Sequence, residues 1–315
     1  MRPIRIPATI EAQAAEQAGL VDAQQCQRAG IGSHTRTRLL RAGRWSRPLR
    51  GVYDVGLPQA DSWQARQLRT LWLGLLAGGP DAVAVGLGAL LLHGCWGLPA
   101  QPEPEVGLPH GRGNTGPAGV RIRRFRKPMD LIPVGTRGMV TVRTALIQAL
   151  PEVGRKTGVA ILDSALNRGL LATGQVEAVH DGIRGRRGAA LVHQWWPLHD
   201  SRAESPLETH ARLDCIDHGL APDELQLTIH DEQGAVLGRG DLAWRLRGGR
   251  GWVLVELDGI DVHSTPTAVF ADRARQNALT THGVTVLRFT GADVRRPGTI
   301  ARAVRQLLRV RSSAA

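Results

Sequence analysis

The run Val253-Leu254-Val255-Glu256-Leu257-Asp258 sets the tightest limit on how this chain can fold. Its opening residues read as a strand buried on both faces, the pattern of a central strand. Glu256 then places a carboxylate among apolar neighbours. Such a group is costly unless it is paired, hydrogen-bonded or bound to a cation. Asp241, followed by Leu242-Ala243-Trp244, repeats the pattern on the preceding strand. Glu256 and Asp258 are two apart, so both project from one face, and Asp241 can meet them across a hairpin ladder. Carboxylates gathered on neighbouring strands suit a hard divalent cation, magnesium or manganese, and so point to a metal-assisted site.

The elements around that run follow from local signals. Ser205, Pro206 and Glu208 form a capping box that opens a helix reaching about His218, and Gly219 closes it. Leu225 to Asp231 alternates as a half-buried strand, Val236 to Trp244 follows, and Trp252 to Asp258 is the third strand. Pro266 to His282 reads as a helix, Val284 to Phe289 as a strand, and Ile300 to Val310 as the closing helix. The order is α-β-β-β-α-β-α.

The first sixty residues read differently. Helices are expected over Thr9 to Ala18, Ala23 to Arg28 capped by Asp22, and His34 to Ala42 capped by Ser33. The stretch from Arg44 to Tyr53 looks like a two-stranded wing. A helix–turn–helix with a basic wing is a DNA-reading geometry, with Arg36, Arg38 and Arg41 on the third helix and Arg44, Arg47 and Arg50 on the wing. A small structural three-helix unit with solvated arginines is the alternative.

Charge bears on partners. The formal net charge is +12 and the pI is near 11.2, a balance suited to phosphate contacts, although a genomic Arg bias produces the same total. Three scattered cysteines, Cys26, Cys95 and Cys215, argue against a disulfide framework or a structural zinc site. There is no secretory h-region, and the most apolar run is broken at Gly78-Gly79-Pro80-Asp81, so a cytoplasmic protein without membrane contact is expected.

Between the two ends, Asp61 to Leu76 reads as a helix and Ala82 to Leu92 as a helix or buried strand, with His93 a helix-end residue. Gly111 to Gly119 lacks the Lys-Ser/Thr pair of a phosphate loop and reads as a turn. The strand from Val120 to Lys127 is basic on both faces: either a charge-protected edge or part of a nucleic-acid footprint. Helices follow over Val142 to Leu150, Gly158 to Arg168 and Thr173 to Gly182. Asp163 and Ser164 lie inside the second of these, without the strand–turn elbow of a nucleophile. The expected division is 1–57, 58–197 and 198–315, a multidomain α/β chain.

Two resemblances accompany these readings. The second and third helices with Gly30-Ile31, Trp45 and Gly51-Val52-Tyr53 resemble the N-terminal winged helix–turn–helix of AbiEi-type antitoxins, over about the first sixty residues, and an α+β middle region follows as in those proteins. Residues 204–309 resemble the PD-(D/E)XK nuclease fold and more closely the DUF559 group, relatives of very-short-patch-repair endonucleases. The matching residues are Glu204-Ser-Pro-Leu-Glu208, Gly240-Asp241, Val255-Glu256-Leu-Asp258-Gly259, His263, Asp272-Arg273-Ala-Arg275-Gln-Asn277 and Gly283 to Phe289.

The second resemblance implies a restriction-endonuclease-like domain that hydrolyses DNA phosphodiesters with a divalent metal held by Asp241, Glu256 and Asp258, joined by Glu208 or Glu204. It gives His263 a proton-transfer or electrophilic role and lets Arg275 stabilise the phosphate. A surface-loop place for His263 and an ion pair between Asp272 and Arg275 stay open. Asp258 departs from the general motif, which has Lys there. Two functions are therefore expected: a metal-dependent DNA endonuclease in defence or repair, or a non-enzymatic AbiEi-like antitoxin or repressor. DNA is the partner in both; a cognate toxin or self-association stays open.

Overall fold

The structure is a computed structural model and describes residues 4–108, 118–125, 129–246, 251–258 and 277–313, the final three as backbone alone. It is mixed α/β with three sheets, and its chain divides into two units, 1–153 with 171–189 and 154–170 with 190–315. Both the 1–57 segment and most of the 58–197 segment of the sequence division fall in the first unit. Among the described residues no helix is long and apolar enough to cross a membrane.

In the first unit α1 (Ala8–Glu16), α2 (Ala23–Arg28) and α3 (Ser33–Arg41) surround a core of Ile10, Ala14, Cys26, Leu39 and Trp45. Asp22 caps α2 through the Gln25 amide at 2.7 Å, and the Gln25 side chain returns a bond to the Asp22 amide at 2.8 Å. The two strands expected there are β2 (Ser46–Leu49) and β3 (Val52–Asp54), which pair, and β1 (Leu20–Asp22), which the sequence pattern missed, pairs with β3. β1 is three residues long and buried throughout, too short to show alternation.

After α4 (Trp63–Gly78), the ambiguous run Ala82 to Leu92 resolves into both options: β4 (Val83–Ala84) and then α5 (Gly86–Leu92). His93 is indeed at the helix end, but its Nε2 meets the Val140 carbonyl at 2.9 Å, in a strand far along the chain. β5 (Glu105–Leu108), β6 (Arg121–Arg124), β7 (Leu131–Val134) and β8 (Arg137–Val140) complete a sheet of order β6-β5-β4-β8-β7. α6 (Val142–Ala149) follows β8 in this unit. The basic strand β6 is an edge, and its charge is met within the unit. Arg123 pairs with Glu105 at 2.6 Å and with Glu152 at 2.6 Å, and Arg121 pairs with Glu152 at 2.7 Å. These pairs favour the charge-protected edge. Most of the Gly-rich segment 111–119 lies outside the described residues.

The second unit takes α7 (Arg155–Asn167), leaves α8 (Val176–Ile183) to the first unit, and continues with α9 (Ala189–Trp195) and α10 (Pro206–Asp217). Its sheet has the order β12-β11-β10-β9, built from β9 (Glu224–His230), β10 (Val236–Arg245), β11 (Trp252–Asp258) and β12 (Val284–Thr290). β9, β10 and β11 are antiparallel neighbours, and β12 runs parallel to β11. One face packs Leu242, Trp244, Val253 and Val255 with Ala211 and Cys215 of α10. The closing helices are α11 (Gly291–Val294) and α12 (Thr299–Ser313), and Val294, Ile300 and Val304 complete that core. The other face packs Ala243, Leu254, Leu279 and Val284. Burial on both faces accounts for the apolar run of β11. The expected helix Pro266 to His282 is described only at 277–282, of which 277–281 is helical.

Asp163, on α7, is buried at 1% exposure and joins three segments. It accepts from the Thr209 hydroxyl at 2.8 Å, from Arg212 at 2.8 Å and from the Asp200 amide at 2.7 Å. Arg212 also donates to the Leu198 carbonyl at 2.7 Å. Removing one partner of such a pair leaves an uncompensated buried charge. Arg212→Ala is expected to lower unfolding free energy by about 3 to 5 kcal/mol, read by urea denaturation; a loss under about 1 kcal/mol would mean that water reaches Asp163.

Candidate acidic site

The start of α10 fixes the first carboxylate. Ser205 caps the helix by accepting the Glu208 amide at 3.2 Å, and Glu208 Oε2 accepts the Glu204 amide at 2.7 Å, a reciprocal capping box. That bond turns the buried Glu208 side chain back over the helix start, where the Gln226 side-chain amide also donates to Oε2 at 2.6 Å. Gln226 lies on β9 between Leu225 and Leu227, which pair with Leu242 and Gly240, so it stands beside Asp241. Its φ is +54°, in the left-handed region that a non-glycine residue rarely occupies. Arg239 Nε donates to Gln226 Oε1 at 2.7 Å, and Arg239 also forms an ion pair with Glu204.

Asp241 is half-buried on β10, and its Oδ2 accepts the Leu257 amide at 2.7 Å. Gly240 beside it permits close strand approach, since a Cβ there would fall 2.8 Å from the Leu254 Cβ. Burial pushes the Asp241 carboxyl up to about 6, against the lowering effect of the Leu257 amide, and the charges of Glu208 and Glu256 raise it further. Glu256 is turned to Arg288 of β12, its neighbour in the parallel register, at 3.0 Å. Asp258 ends β11 half-buried.

Of the sequence candidates, Asp241 thus feels the charges of Glu208 and Glu256 at the junction of α10, β10 and β11. Glu204 is directed instead to Arg239. His263 and Arg275, with Asp272, lie outside the described residues. Gln226 and Arg239 are the polar residues that sequence reasoning missed. The alternation of β9 placed Gln226 among its polar positions, but nothing in the sequence signalled its backbone conformation.

In kind, the donors suit a hard cation, because all are carboxylates. In arrangement they do not complete a cage: among the described residues no group of three or more His, Cys, Asp or Glu side chains could hold a metal ion. The two observations are compatible, because charge repulsion acts over several ångströms while ligation requires oxygens about 2.0 to 2.6 Å from one point.

The basic candidates of the first unit separate into two groups. Arg36 is an internal brace, donating to the Ile31 carbonyl at 2.8 Å and lying 5.5 Å from the Tyr53 ring centre. Arg38 is half-buried, whereas Arg41, Arg44, Arg47 and Arg50 are exposed, and Arg44 donates to the Ile4 carbonyl at 2.9 Å.

Because the folded Asp241 carboxyl titrates near 6 and the unfolded one near 3.8, the folded chain holds that proton more tightly. Its contribution to stability is greatest below the unfolded value and is lost as pH rises toward 6. Asp241→Asn keeps an acceptor for the Leu257 amide and removes the buried charge. It is expected to be more stable than the native chain at pH 7 by about 1 to 2 kcal/mol, allowing for solvent screening, and equal to it below about pH 4. Urea denaturation at both pH values measures this, and a variant less stable at pH 7 would contradict it.

No protein-family model matches the chain. The uncharacterized proteins Rv2248 and MT2308, from two strains of Mycobacterium tuberculosis, are each 34% identical to it over 213 residues, 66% of this chain and 71% of theirs. The chain belongs to the family that contains the Mycobacterium tuberculosis protein Rv2248.

Proposed function

We propose that the chain is a DNA-binding protein whose C-terminal unit is an endonuclease-like domain acting on DNA phosphodiesters with magnesium or manganese. The observation that carries this reading is the raised Asp241 carboxyl, half-buried and facing the charges of Glu208 and Glu256. Perturbed carboxylates that repel one another gather where a cation or a proton is to be taken up. The order α10-β9-β10-β11, then β12 and α12, agrees with the PD-(D/E)XK and DUF559 likeness. For the first unit, helices α2 and α3 with the β2–β3 pair support a winged helix–turn–helix whose exposed Arg41, Arg47 and Arg50 meet phosphate. Glu208 and Asp241 are the residues proposed to hold the metal, which would polarise a phosphodiester when bound.

A second reading rests on the ion pair between Glu256 and Arg288. It neutralises one of the three carboxylates within the unit and suits a DNA-binding regulator, AbiEi-like, in which the acidic site no longer works.

The two separate on supercoiled plasmid incubated with magnesium or manganese, with EDTA as control. The endonuclease reading predicts nicked or linear product, and a rate about 100-fold lower for Asp241→Asn and for Glu208→Gln. Intact plasmid with either metal, combined with a gel shift weakened by Arg41→Ala and Arg47→Ala, would leave the regulator. Arg36→Ala is unsuitable for this purpose, since it removes a structural brace.

A further inference from the structure

The closing helix carries a charge pattern that neither the acidic site nor the winged-helix reading uses. From Arg295 onward the chain has six arginines, Arg295, Arg296, Arg302, Arg305, Arg309 and Arg311, and no acidic residue. Ile300, Ala301, Val304, Leu307 and Leu308 of α12 pack into the core of the second unit. Arg302, Arg305 and Arg309 recur at helical spacing on the opposite side and line an open groove with Gln306 and Val310.

Two of these arginines donate to uncharged groups. Arg302 donates to the Pro297 carbonyl at 3.3 Å and the Thr299 hydroxyl at 3.4 Å, and Arg305 donates to the His218 carbonyl at 2.5 Å. All three acceptors are neutral. The nearby acids of α10 are engaged elsewhere: Asp214 is buried and accepts the Gly298 amide at 2.8 Å, and Asp217 pairs with Arg155.

We infer that this arginine face of α12 binds the phosphate backbone of duplex DNA, as a second contact surface on the C-terminal unit. The inference rests on the DNA-binding reading and adds a contact site to it. From Arg302 to Arg309 the helix rises about 10 Å, a length over which a duplex presents several phosphates. Guanidinium groups bond phosphate oxygens in a bidentate fashion. A lipid surface fits less well, because a helix that enters a membrane interface needs its apolar face, and here that face is buried in the core. The contact is to backbone and carries no sequence preference.

The experiment measures binding of a fluorescent duplex of arbitrary sequence by anisotropy, without divalent metal, across a salt series. It compares the native chain, Arg302→Gln/Arg305→Gln/Arg309→Gln, the corresponding triple lysine variant, and Gln306→Glu. The glutamine variant is expected to lower the slope of log K against log salt by about 2 to 3. The lysine variant keeps the native slope, and Gln306→Glu, an exposed single change that leaves the core intact, weakens binding several-fold. Thermal melting verifies that each variant is folded. If the native chain binds and neither the glutamine variant nor Gln306→Glu differs from it, this inference fails while the DNA-binding reading stands. If the native chain does not bind at all, both fail. Retention by phosphatidylserine vesicles through these arginines, without DNA binding, overturns the assignment in favour of a membrane surface.

Discussion

The second unit hangs on one buried ion pair. Asp163 and Arg212 tie α7 to α10 and to the segment between Leu198 and Asp200, and each remaining bond of the pair goes to backbone or to Thr209. Burial raises the Asp163 carboxyl to about 6 even with Arg212 against it, so the environment is dry enough for the pair to be costly to break. Arg212 and Thr209 sit within one turn of Glu208 on the same helix. The pair therefore sets the placement of α10, and α10 in turn carries Glu208 to the sheet.

Beyond that anchor, the acidic site is organised by hydrogen bonds rather than by convergence on a point. Gln226 bonds Glu208 and is held by Arg239, which also holds Glu204. The left-handed backbone at Gln226 costs free energy and persists because this network determines its side chain from two directions. Asp241 is tethered from the other side by the Leu257 amide. The arrangement brings Glu208 and Glu256 close enough to act on Asp241 while satisfying the carboxylates with donors, an intermediate condition between a metal cage and a neutralised polar core.

Much of this was legible in the sequence, for identifiable reasons. Long periodic segments and cap signals placed α2, α4, α10, β11 and α12 closely; Asp22 and Ser205 accept the amide bonds that end-groups require. β1 escaped because three residues show no period, and the two residues of β4 are too few to separate strand from helix in the run Ala82 to Leu92. The allocation of α7 to the second unit escaped because it depends on Asp163 meeting Arg212 across 49 residues, a partnership no local pattern encodes. At the site, acidic residues in apolar strands pointed to Asp241 and Glu256 as neighbours, but the sequence held no sign that Glu256 would face Arg288 or that Gln226 would bond Glu208. Arg36 shows the same limit: its spacing matched a surface reader, and no local pattern announced its bond to the Ile31 carbonyl.

The charges of Glu208 and Glu256 both act on the Asp241 carboxyl. Carbon-13 NMR titration of the Asp241 side-chain carboxyl tests it most directly, comparing the native chain with Glu208→Gln. The expected midpoint is near 6 in the native chain and lower once the Glu208 charge is removed. A native midpoint near the ordinary 3.8, unchanged by Glu208→Gln, would contradict it.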